Sequence, residues 1–175
     1  MTFLKKAALA ALALCLCLTL LACSSVQEAG TKLAEQVGQL LHGDVTGKIG
    51  ETYRTEWFNF SVSSIKEVKE YAGYTPKEGN TLYDVVITEL STFADPIPMG
   101  TFDFYMDAES FDEYVFPMDP IDETMMPTEF TLNKDDNVNY HMVYEVPSGT
   151  AGLKLMYTEL SEADEKGATF TIPID

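Results

Sequence analysis

Two histidines, three cysteines and an excess of carboxylates are the groups this 175-residue chain offers to chemistry. His42 and His141 are the imidazoles. A Ser-His-Asp arrangement on the later part of the chain would have to use His141, whose neighbours Tyr140 and Met142 face the opposite side of an extended run. His141 therefore reads as an ordinary strand residue. Cys15, Cys17 and Cys23 all lie near the start, so everything after Cys23 lacks a thiol for a disulfide, a zinc site or a nucleophile. The sequence contains no glycine-rich phosphate loop, no His-Glu-x-x-His and no Cys-x-x-Cys. No catalytic residue and no cofactor is assigned.

The acids number 28 against 11 Lys and Arg. Asp107, Glu109, Asp112 and Glu113 form one cluster, and Asp119, Asp122, Glu123 and Glu129 another. Asn133, Asp135 and Asn137 stand at the first, third and fifth positions of a calcium-loop spacing. However, Val138 occupies the place of the required glycine, and Tyr144 that of the bidentate glutamate. No metal site is expected, and these stretches read as solvated loops. A glycosidase pair has no local signature. It would show itself as two carboxylates converging in one cleft about 5–10 Å apart.

The elements that must position these groups begin with a leader. Lys5 and Lys6 precede an apolar run, Ala7 to Ala22, interrupted by Thr19 alone. That run suits a secretory leader, whereas a membrane-spanning helix wants about 20 apolar residues. Leu20-Leu21-Ala22-Cys23 resembles the lipobox of bacterial lipoproteins, which implies cleavage before Cys23 and acylation of its thiol. Residues 1–22 are then a signal peptide, and 23–49 a lipidated cysteine, a helical tether and a hinge. The helix is read from Ser25 and Glu28 at capping-box spacing and from Ala29, Leu33, Val37, Leu40 and Leu41. Without the leader the chain holds 28 acids against nine Lys and Arg, a net charge of −19. That field repels phosphate backbones, so no nucleic-acid partner is expected.

From about residue 50 the hydrophobic period becomes two. Phe58, Phe60 and Val62, then Phe102, Phe104 and Met106, each read as a strand with one buried face. The run from Val138 through Tyr140, Met142 and Tyr144 to Val146 reads likewise, as do Leu153, Leu155 and Tyr157, and Phe170 and Ile172. Leu82 to Leu90 is apolar on both faces, as in a central strand. Turn signals at Pro76–Asn80, Asp95–Pro98, Asn133–Asn137 and Pro147–Gly149 separate them. Residues 50–175 are therefore expected to form an all-β, immunoglobulin-like antiparallel sandwich of seven or eight strands.

The order of these features resembles DUF4352, an immunoglobulin-like family found in surface lipoproteins of Gram-positive bacteria. Its superfamily includes the secreted immunoprotective antigen of mycobacteria. The resemblance rests on the Trp57–Val62 strand, the Pro76-Lys77-Glu78-Gly79 turn before Tyr83–Ile87, and Ile97-Pro98-Met99 before Phe102–Phe104. Leu132, Tyr144–Pro147 and Leu155–Tyr157 follow in order. Ser91 stands where the pattern usually has asparagine. The resemblance implies a fold and a cell-surface setting, and brings no catalytic residues.

Binding residues on sandwiches concentrate in loops, and tyrosine supplies large amphipathic contacts. Tyr71 and Tyr74 are accordingly the expected ligand contacts. Phe111, Tyr114, Phe116, Met118, Met125 and Met126 are expected to fold back and seal the sandwich, since an exposed patch of that size invites aggregation. The chain thus reads as a non-enzymatic binding or envelope-interaction module, held outside the cell membrane by a lipid on Cys23. An extracellular protein or glycan is the partner class. A ligand-sensing or solute-handling lipoprotein and a surface hydrolase are the alternatives.

Overall fold

The computed structural model describes residues 43–160 and 166–174. The leader, Cys23, the tether helix and His42 lie outside them. Among the described residues ten strands run in chain order: β1 (Val45–Thr46), β2 (Thr52–Arg54), β3 (Phe58–Val68), β4 (Asn80–Ser91), β5 (Ile97–Gly100), β6 (Phe104–Asp107), β7 (Glu129–Leu132), β8 (Asn137–Pro147), β9 (Lys154–Leu160) and β10 (Lys166–Pro173). One sheet has the order β1-β10-β9-β6, a second the order β2-β3-β4-β8, and β5 and β7 form a separate ribbon. All pairings are antiparallel except β1 with β10.

Alternation explains the core. Phe58, Phe60 and Val62 of β3 are buried, as are Val85 and Ile87 of β4 and Met142, Tyr144 and Val146 of β8. From the facing sheet come Phe104 and Met106, Leu155 and Tyr157, and Phe170 and Ile172. Phe60 sits among five rings, with centroids 4.9 Å from Tyr53, 5.4 Å from Phe104, 5.7 Å from Tyr157, 5.8 Å from Phe170 and 6.1 Å from Phe58. A bulge at Ser63 then shifts the register, so that Ile65 opposite Val85 takes the inward phase after Val62 opposite Ile87.

Three sequence expectations are corrected. Val45–Thr46, read as hinge, pairs with Phe170–Thr171, and the Asp44 carboxylate accepts the Thr169 N–H at 3.1 Å. The sandwich therefore begins before residue 50. Phe102, read as an inward strand residue, is 61% exposed. Thr101–Asp103 form a 3-10 turn in which the Asp103 carboxylate accepts the Gly100 N–H at 2.7 Å, so β6 opens only at Phe104. The turn read at Asp95–Pro98 gives way in part to β5, which pairs with β7 in a ribbon, and β1, β2 and β5 together bring the described strands to ten.

Candidate functional site

An open cavity of about 310 Å³ lies where the chain entering β3, the Phe93–Met99 segment and β9 meet. Its walls are Trp57, Phe93, Pro96, Ile97 and Pro98, with Met99, Asp103, Tyr157 and Thr158 completing the lining. Thr55 sets Trp57 in place. Its hydroxyl donates to the Phe58 carbonyl at 2.7 Å and accepts the Phe58 N–H at 3.0 Å, closing a tight turn around the indole residue. The indole meets Phe93 edge-on, with centroids 4.8 Å apart at 80°. Pro96 and Pro98 stiffen the opposite wall by fixing their own φ.

Asp103 is the acidic member of the lining. Its bond to Gly100 holds the carboxylate, while burial raises its pKa above the ordinary carboxyl value. Gly100 cannot become alanine without conflict, because a Cβ there would run into the Thr128 carbonyl. The close approach of β7 to this turn thus depends on glycine.

Glu89, on β4 in phase with Val85 and Ile87, is fully buried. Neither of its carboxyl oxygens has a hydrogen-bond partner. Burial pushes its pKa up to about 8, with the Asp103 charge adding to the effect. The Tyr157 phenol is raised as well, first by burial and then by Glu159, Asp103 and Glu89. Glu159, also buried, accepts the Glu56 N–H at 2.6 Å. Among the described residues Lys154 pairs with Asp107 and the His141 ring contacts Asp84, so no Lys, Arg or His neutralises this group of acids. Glu89 lies inside the Leu82–Leu90 run that reads as apolar on both faces, and its signal in the sequence is a lone glutamate in phase with two core residues.

Tyr71 and Tyr74 lie elsewhere, at the corners of a tight turn closed by reciprocal backbone bonds of 2.9 and 2.8 Å. Ala72 and Gly73 take positive φ there, 46° and 84°, as a primed hairpin turn requires. Both hydroxyls are engaged. Tyr71 is 3.1 Å from the Thr124 hydroxyl, and Tyr74 donates to Glu145 at 2.5 Å. The rings pack on a small cluster of Leu82, Met125 and Val143, separate from the main core. His141 completes this face, with Nδ1 2.7 Å from Asp84 and its ring 5.8 Å from Tyr71. Two of the loop acids cap their own turns. Asp136 accepts from the backbone and side chain of Asn133, and Asp122 from the backbone and hydroxyl of Thr124. Among the described residues no group of three or more His, Cys, Asp or Glu could hold a metal ion.

The aromatic connection divides. Met125 and Met126 are buried and Phe111 packs on the core, whereas Tyr114 and Phe116 are 55% and 40% exposed. They join Tyr105 and Phe102 in an external aromatic row, with Tyr105–Tyr114 centroids 4.4 Å apart and Phe102–Phe116 5.4 Å. Sealing the sandwich is thus the role of the methionines and Phe111, and that expectation is corrected for Tyr114 and Phe116. β6 directs Phe104 and Met106 inward, which leaves Tyr105 on the outer face to receive them.

Solved structures share this architecture. The YcdA protein of Bacillus subtilis subsp. subtilis str. 168 superposes with a TM-score of 0.57 at 20% identity, over 71% of this chain and 38% of that one. The YjhA protein of Bacillus subtilis gives 0.56 at 22% identity over 73% and 99% of the two chains. MPT63, a secreted protein of Mycobacterium tuberculosis, gives 0.53 at 10% over 73% and 96%. The fold is a β-sandwich. This chain spans well under half the length of YcdA. No family model and no curated protein matches the sequence. Among the described residues no helix is long and apolar enough to cross a membrane.

Proposed function

We propose that this chain is a lipid-anchored cell-surface module of the DUF4352 type, whose sandwich binds a ligand in the end cavity without transforming it. The observation that carries the binding reading is the cavity itself, with aromatic and proline walls and an acidic group at one point of its lining. Small-molecule sites have this character, mostly apolar with a few placed polar groups. A hydrolase would need two carboxylates able to touch one substrate. Glu89 cannot be the second, because both its oxygens are sealed in the core. In this reading Tyr71 and Tyr74 brace their turn, and the ligand is a component of the cell envelope or its surroundings.

The leader supports the anchor. Cys23→Ser should abolish incorporation of a fatty-acid probe and leave the leader uncut, and undiminished labelling of that variant would remove lipidation at Cys23 from the account. Binding is testable through Trp57, the single tryptophan of the chain, which lines the cavity. Emission of the full chain in maltoside detergent should shift on addition of solubilised envelope fractions. Ile97→Phe, which fills the cavity from half-buried β5, should suppress that shift. If no fraction changes Trp57 emission, or if Ile97→Phe responds as the wild type does, the cavity is not the binding site.

A further inference from the structure

We propose that the Trp57–Phe93 cavity takes a small alkylated ammonium ion, its charge set against Asp103 and its alkyl groups against the aromatic and proline walls. This rests on the binding role proposed above and specifies the ligand's class. Two observations point to a cation.

An indole and a phenyl ring, packed edge-on against each other, stand in the cavity lining, and the aromatic faces that such packing leaves free attract organic cations. Its acidic lining residue, Asp103, is drawn partly out of water, and its bond to the Gly100 N–H is a fixed backbone contact that supplies no positive charge. Asp103 is not paired with a Lys, Arg or His among the described residues. A folded protein ordinarily compensates an acid drawn out of water with a partner. A cation in the cavity would meet that need.

The other ligand classes fit less well. An anion would face Asp103 directly and a chain of net charge −17 overall. A neutral apolar molecule would cover Asp103 without compensating it, which desolvates a charge for no return. A primary ammonium keeps strong hydration. Alkyl substituents exchange that hydration for contact with Trp57, Phe93, Pro96 and Pro98.

The test compares choline with 3,3-dimethyl-1-butanol, its uncharged carbon counterpart of nearly the same shape, by Trp57 emission of the full chain in maltoside. Choline should bind saturably and at least about tenfold more tightly than the alcohol. Asp103→Asn retains an acceptor for the Gly100 N–H and should bring the two affinities together. Equal binding of both probes by the wild type, absence of saturable choline binding, or unchanged choline preference in Asp103→Asn would each overturn the proposal. Should Asp103→Asn fail to fold, the wild-type comparison of the two probes decides alone. If envelope fractions still shift Trp57 emission in a protein that ignores choline, the binding role stands and only the ligand class falls.

Discussion

Glu89→Met should stabilise the protein by about 3 kcal/mol at pH 7, the conversion of a pKa raised from the ordinary 4.5 to about 8 at roughly 1.4 kcal/mol per unit over the interval reached at that pH. The sign follows from proton counting. Between pH 4.5 and 8 the folded protein keeps a proton on Glu89 that the unfolded chain has released, so stability falls as pH rises through this window. The effect is absent below the unfolded value and complete above about 8. Burial raises Asp103 and Glu159 too, and these add losses of the same sign. Asp122 and Glu145 are held below their ordinary values by hydrogen bonds, chiefly from Thr124 and Tyr74, so their support disappears only in acid. Urea unfolding at pH 5, 6, 7 and 8 should show the wild type weakening with pH and Glu89→Met losing much of that slope. An unaltered slope in the variant would mean that Glu89 does not carry the buried proton. Retaining an unpartnered acid at a price in stability is the pattern expected where a site serves something other than folding.

Phe60→Ala should lower unfolding free energy by about 3–5 kcal/mol, the range for deleting a buried aromatic ring when the surroundings cannot close the gap. Phe60 is 2% exposed, and its neighbours come from both sheets: Tyr53 of β2 on one side, Phe104, Tyr157 and Phe170 of the facing sheet on the other. Removing it therefore opens a void between the layers that no single side chain can fill. The loss is comparable to much of the stability of a domain this size. Phe102→Ala is the internal control, since that ring is mostly in water and its loss should cost within about 0.5 kcal/mol. Denaturant midpoints at constant m-value measure both. A loss near 1 kcal/mol for Phe60→Ala would place the packing centre elsewhere.

Local alternation made the strands and most of the core legible. Phe58, Phe60 and Val62, Leu153 and Leu155, and Phe170 and Ile172 all face inward as their spacing requires, because side-chain direction in an extended chain depends only on the residue's place in the period. The same pattern misled at Phe102, where a single bond between Gly100 and Asp103 curls the chain into a turn and takes the ring out of phase. Val45–Thr46 carried too little pattern to be read as a strand. Its pairing partner lies 125 residues away, beyond any local window.

The candidate site was hidden for a related reason. Trp57, Phe93, Asp103 and Tyr157 become one cavity only when the end of the sandwich closes, and nothing in their spacing along the chain announces that meeting. Composition by itself determined the acidic character, the absence of thiols after Cys23 and the all-β class, since these follow from residue counts and short-range periodicity. Tertiary structure alone decided that Glu89 has no partner, that the Tyr71 and Tyr74 hydroxyls bond within the fold, and that Asp103 lies beside an aromatic wall. Those outcomes depend on contacts between distant segments, whose free energy is settled by how the two sheets pack.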